Sequence, residues 1–140
     1  MVLAAFEFNY QTRNGWKLPI CQLDLLGPAE PGRKRIDALV DSGASYSIFL
    51  RSDADLLGIE LPRLPNQRIA FGSGPGLGRR VRVALELGSE RFRAEVVFID
   101  DESWPSDLRY SLLGRIGVFP RFRYVAFRER LPRPVVEFGL

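Results

Sequence analysis

Histidine is absent from this 140-residue chain, and cysteine and methionine occur once each. Without histidine there is no Ser-His-Asp triad, no Cys-His pair and no His-ligated zinc site. A single thiol, Cys21, cannot close an internal disulfide, and its place between Ile20 and Gln22 in a strand-like run reads as a small buried hydrophobe. Lysine is scarce as well, with only Lys17 and Lys34, and neither falls in a Ser-x-x-Lys pattern. No apolar run is long enough to cross a bilayer, so no membrane partner is expected. The start, Met1 to Glu7, carries neither a basic leader nor the apolar core of a signal peptide, so export is not indicated and a cytoplasmic location is expected. Of the common hydrolytic chemistries, those built on carboxylates remain.

What is present suits one globular domain over residues 1–140, with 46% hydrophobic and 26% charged residues. The net charge of +3 comes almost entirely from arginine and invites a nucleic-acid reading. The arginines are nevertheless spread out. Arg80 and Arg82, Arg91 and Arg93, and Arg121 and Arg123 each bracket one apolar or aromatic residue, the pattern of a strand with one solvated face. No recognition helix or zinc motif accompanies them, so no nucleic acid is expected as a partner; a basic nucleic-acid-binding barrel stands as the third reading.

Most of the chain reads as strands. Leu3 to Tyr10 alternates, Asn14-Gly15 supplies a hairpin turn, and Trp16 to Leu26 is the expected hairpin partner, with Pro19 marking an edge or a bulge. A loop over 27–32 leads into a strand ending at Asp41. Ser52 to Gly58 has the signals of a short helix: a Ser cap, acids in the first turn and a closing glycine. Further strands are predicted at Arg68–Phe71, Arg79–Leu87, Phe92–Ile99, Arg123–Arg128 and Pro134–Phe138, with Gly88-Ser89 as a hairpin turn.

One stretch stands apart. The apolar run Ala38-Leu39-Val40 delivers Asp41 into a Ser42-Gly43 turn, and Ala44, Ser45 and a second apolar run follow. A carboxylate set among apolar neighbours needs hydrogen bonds, a charge partner or a shared proton, which points to chemistry more than to structure. These residues resemble the signature of the retropepsin-like aspartic proteases, an apolar pair followed by Asp-Ser/Thr-Gly-Ala. Ser111-Leu112-Leu113-Gly114-Arg115 resembles that family's later apolar-apolar-Gly element, which packs behind the catalytic turn.

The resemblance implies a mainly β, closed-barrel acid-protease fold with one or two short helices. It implies Asp41 as catalytic residue and Ser42, Gly43 and Ala44 as support of the turn. Phe71, Gly72, Ser73, Gly74 and Gly76 fall where the family places its flap, although a merely mobile hairpin tip is the other reading of that segment, and Pro75 departs from the usual flap. Ser45 stands where many viral relatives have a second acid, and reads either as a substrate contact or as an ordinary turn hydroxyl. Leu112, Leu113 and Gly114 would be structural, behind the site. Arg115 is either a surface charge or the partner of an acid near the dimer contact. No metal or cofactor is implied, and the phosphate-cradle reading of the glycines fails for want of a Gly-Lys-Ser/Thr ending and a following helix.

A second Asp-Ser/Thr-Gly is missing, and Asp24, Asp37, Asp100, Asp101 and Asp107 look like solvated or turn acids. If the chain is the enzyme that the resemblance implies, cleaving peptide or protein with two carboxylates that share a proton around a water, it must be a homodimer with one Asp41 from each subunit. The strand-like chain ends are expected to interleave across that dimer. The alternative is a catalytically silent domain of the same fold, used for dimerisation or peptide binding.

Overall fold

The computed structural model describes residues 4–29, 32–71, 74–104 and 110–140. The fold is built on strands β1 (Ala5–Asn9), β2 (Gln11–Arg13), β3 (Trp16–Leu18), β4 (Ile20–Leu26), β5 (Arg33–Val40) and β6 (Ser47–Leu50). A helix α1 (Arg51–Leu57) follows, then β7 (Gln67–Phe71), β8 (Gly74–Leu87), β9 (Glu90–Ile99), β10 (Ser111–Leu113), β11 (Tyr124–Arg128) and β12 (Val135–Gly139). Single 3-10 turns cover Asp101–Ser103 and Phe119–Arg121.

The main sheet runs β4-β5-β10-β6-β9-β8-β7, and a further pairing of β4 with β8 returns it on itself. The six strands from β4 to β8 thus form a closed ring. Alternation fills its interior: Ile36, Ala38 and Val40 of β5, Val83, Leu85 and Leu87 of β8, and Phe92, Ala94 and Val96 of β9 are all buried. Phe92 is buried in β9 between exposed Arg91 and Arg93, as alternation predicts; Phe122 is likewise buried between exposed arginines but follows a 3-10 turn, and Val81 of β8 is only half-buried beside a half-buried Arg80.

A second sheet, β1-β12-β11, packs on this barrel through a cluster of rings. Phe6 stacks on Phe138 at 5.5 Å, Phe122 meets Phe138 at 5.1 Å, and Phe92 of the barrel meets Phe122 edge-on at 6.1 Å.

Three expectations are corrected. The Asn-Gly hairpin is real, with φ of 51° at Asn14 and 80° at Gly15, yet it joins only β2 and β3. Pro19, which has no N–H for a ladder, ends that hairpin, and Ile20–Leu26 turns to pair with β5 instead. Within one chain β12 lies between β1 and β11, with both its edges filled; interleaving across a dimer concerns a second chain. Helix α1 is preceded by Leu50 with no side-chain cap, and Ser52 lies inside the helix, its N–H donating to Asp101 Oδ1 at 3.1 Å. Gly58 does close the helix, at φ 69°.

One of the acids differs from expectation, while Asp37 and Asp100 stay partly exposed and Asp101 lies exposed in a 3-10 turn. Asp24 is buried in β4, where Arg35 Nε donates to Oδ1 at 2.8 Å and Arg33 Nη1 to Oδ2 at 2.9 Å. Hydrogen bonds from Arg35, followed by its charge and Arg33, hold the Asp24 carboxyl below its ordinary range against the opposing effect of burial. Asp37 is bonded by Arg13 and Gln22. Asp100 is paired with Arg51 and Arg79. Asp107 lies outside the described residues.

Candidate active site

Strand β10 makes the site. It pairs parallel with β5, Leu113 opposite Val40, and antiparallel with β6, Leu112 opposite Ile48. The strand that enters the Asp-Ser-Gly turn and the strand that leaves it are therefore held apart by a third segment from much later in the chain. Leu112 is almost wholly buried and Leu113 completely so, which secures β10 from beneath.

The backbone of the turn is tied to that segment at each step. Asp41 N–H donates to the Leu113 carbonyl at 3.0 Å, Arg115 N–H to Ala44 at 3.0 Å, and Ile116 N–H to Ser45 at 2.7 Å. Within the turn, Ala44 N–H donates to the Asp41 carbonyl at 3.2 Å, and Gly43 N–H to Asp41 Oδ1 at 2.9 Å. The last bond fixes the carboxylate from its own turn.

Gly114 is where the chain passes behind the turn. A Cβ there would lie 2.4 Å from the Tyr46 carbonyl oxygen and 3.0 Å from that of Ala44, so only glycine fits. Its N–H donates at 3.0 Å to Ser47 Oγ, a fully buried hydroxyl. Ser47 was not singled out from the sequence. The signal available was a polar residue at the start of the apolar run Ile48-Phe49-Leu50.

Asp41 is half-buried and opens onto a groove of about 450 Å³. Gly43, Ala44 and Ser45 line it on the turn side, and Gln67 to Ala70 on the side of β7. Tyr46, Ile48, Leu112 and Ile116 add largely apolar surface. Ser42 is exposed beside it. Strands β7 and β8 form a hairpin in register Phe71 to Gly74, with Gly76 opposite Ile69 and Pro75 opposite Ala70. Gly72 and Ser73, expected at its tip, lie outside the described residues, as do the side-chain surroundings of Phe71 and Gly74. The base of the hairpin is fastened to the turn by Arg80, whose Nη1 donates to Gln67 Oε1 at 3.0 Å and to Tyr46 Oη at 3.3 Å. Neither Tyr46 nor Arg80 stood out in the sequence as a site residue, because this contact joins strands far apart in the chain.

Among the described residues, no three histidine, cysteine, aspartate or glutamate side chains converge as metal ligands. No helix among them is long and apolar enough to cross a membrane.

A barrel of this topology, with an Asp-Ser-Gly turn braced by an apolar-apolar-Gly strand, defines the acid-protease fold of the retropepsin type. The chain belongs to the aspartyl protease family, whose sequence model matches residues 28–115. In structure it is similar to a retropepsin-like aspartic protease from Rickettsia conorii, at TM-score 0.58 and 20% identity over 97% of this chain and 94% of that one. It is also similar to EIAV protease complexed with the inhibitor HBY-793, at TM-score 0.52 and 16% identity over 75% of this chain and 88% of that one. No curated protein matches in sequence.

Proposed function

We propose that the chain is an aspartic endopeptidase active as a homodimer, with one Asp41 from each subunit meeting across a two-fold axis. The observation that carries this is the groove itself: among the described residues, Asp41 is the only carboxylate that lines it. Two carboxylates at close range cannot both ionise, so the pair holds one proton and titrates as a unit. The ionised member takes a proton from the bound water as its oxygen attacks the peptide carbonyl. The protonated member donates to the carbonyl oxygen, giving a neutral tetrahedral diol. Return of a proton to the amide nitrogen then breaks the C–N bond and releases an amine and a carboxylic acid.

The other residues serve this arrangement. Gly43 N–H steadies the carboxylate, the exposed Ser42 hydroxyl is available to bridge the two turns, and the small Ala44 leaves space for the substrate backbone. The β7–β8 hairpin acts as the flap over the groove, and Ser45 lies in its wall as a substrate contact. Ordering a peptide under such a hairpin excludes water from the reacting bond.

Sedimentation across a range of concentrations, with peptide-library cleavage at mildly acid to neutral pH, tests the proposal. Wild type should dimerise and cleave, while Asp41→Asn should dimerise, keep its melting temperature and cleave nothing. A protein that stays monomeric at high concentration would refute the shared dyad and leave the non-cleaving peptide-binding module.

A further inference from the structure

We propose that Arg68 and Arg115 make the groove selective for peptides with carboxylate side chains flanking the cleaved bond. This rests on the groove being the peptide site. Among the described residues, Asp41 and Arg68 are the only charged ones that line it. Arg68 is exposed on β7, opposite the exposed Leu77, and lines the groove together with Ile48 and Leu112. Arg115 is exposed immediately after Gly114, and its backbone is fixed to Ala44 of the turn, with its neighbour Ile116 in the groove wall.

Neither guanidinium meets a carboxylate among the described residues, whereas the other cations nearby are committed. Arg80 is shared among Glu95, Gln67 and Tyr46, and Arg79 pairs with Asp100. Arg68 in the groove wall and the exposed Arg115 next to the wall residue Ile116 leave two unpaired guanidiniums near a groove with, among the described residues of this chain, a single acid. The complementary ligand is a peptide with apolar residues at the cleaved bond and Glu or Asp further out. Guanidinium binds carboxylate through paired N–H donors, and a peptide lying over the groove shields that contact from water and salt.

The test uses matched peptides with an apolar centre, differing only by Glu or Gln at each flanking position. The readout is the Glu-to-Gln ratio of kcat/KM for wild type, Arg68→Gln, Arg115→Gln, the double variant, and Arg123→Gln as a distant charge control. The same peptides, fluorescently labelled, are titrated into Asp41→Asn protein to read binding without cleavage, and each variant is sedimented at assay concentration. Each guanidinium should contribute about threefold at low salt, giving roughly tenfold preference for Glu in wild type. The ratio should fall toward one in the double variant and at high salt, and be retained in Arg123→Gln.

Equal kcat/KM for Glu and Gln peptides, or a preference that survives the double variant, overturns this inference and leaves the protease reading standing. Binding to Asp41→Asn that favours Glu, without cleavage by wild type, supports the inference and overturns the proteolytic one. Absence of both binding and cleavage overturns both. Loss of the dimer in Arg115→Gln assigns Arg115 to the subunit contact and overturns its part here.

Discussion

Substituting Gly114 by alanine tests how the turn is held. The added Cβ falls 2.4 Å from the Tyr46 oxygen, 2.5 Å from the Tyr46 carbonyl carbon and 3.0 Å from the Ala44 oxygen. Every atom in its way is backbone, and the closest approach is about 1 Å short of ordinary van der Waals contact. No side chain can rotate aside, so either β10 or the 44–46 segment must move by most of that distance. Moving β10 breaks the bonds from Asp41 and Arg115, and moving the 44–46 segment shifts the turn itself. Overpacking of this kind costs roughly 2–3 kcal/mol, or about 6–10 °C in Tm for a domain of this size. A displacement of about 1 Å near reacting groups costs on the order of 100-fold in rate. Thermal unfolding by circular dichroism, with kcat/KM on a cleaved peptide, measures both. Gly43→Ala is the comparison, since its Cβ meets only Asp41 Oδ1, at 3.3 Å; it should unfold much nearer wild type. Gly114→Ala melting as high as Gly43→Ala would refute the steric argument.

Two further outcomes follow from buried groups. Cys21 is fully buried, and burial pushes its thiol up to about 12, so native protein should resist a thiol reagent at pH 8 that labels the urea-unfolded chain at once; rapid native labelling would contradict the packing of β4. Asp24→Asn should lower stability by about 1–2 kcal/mol at neutral pH, a modest value because Arg33 and Arg35 can still reach water. The Asp24 carboxyl is depressed in the folded state, so its contribution is complete above the ordinary carboxylate value of about 3.9 and is lost as pH falls through the lower folded value. Urea unfolding of wild type and Asp24→Asn should therefore converge in strong acid and diverge toward neutrality.

The sequence made the strands legible where alternation was clean and turn residues bounded them, as at β5, β8 and β9. It made the Asp41 turn legible because a carboxylate among apolar neighbours is uncommon without a purpose. Strand partners distant in sequence were not legible, although the Gly88-Ser89 turn between β8 and β9 was. Sequence proximity placed 16–26 against the first strand, whereas Pro19 splits that run and β4 crosses to β5. For the same reason the burial of Asp24 was hidden: its arginines are neighbours only through the β4–β5 register, with Asp24 opposite Arg35. The Arg80 contact with Tyr46 and Gln67 required three segments to be placed at once. Ser52 read as a helix cap because caps are inferred from residue type, while the helix begins at Arg51, after Leu50, with no side-chain cap.

Threading β10 between β5 and β6 also sets an order of events. The site needs Leu113 beside Asp41, and more than half the chain separates them, so loop closure must be complete before the Asp-Ser-Gly turn acquires its geometry. Local hairpins such as β8–β9 can form early, but the competent turn belongs to the late part of folding. A chain emerging from a ribosome therefore carries no assembled site until residue 113 and its neighbours have been released and inserted. For a protein whose proposed chemistry is the cutting of peptides, that ordering withholds activity from its own unfinished copies.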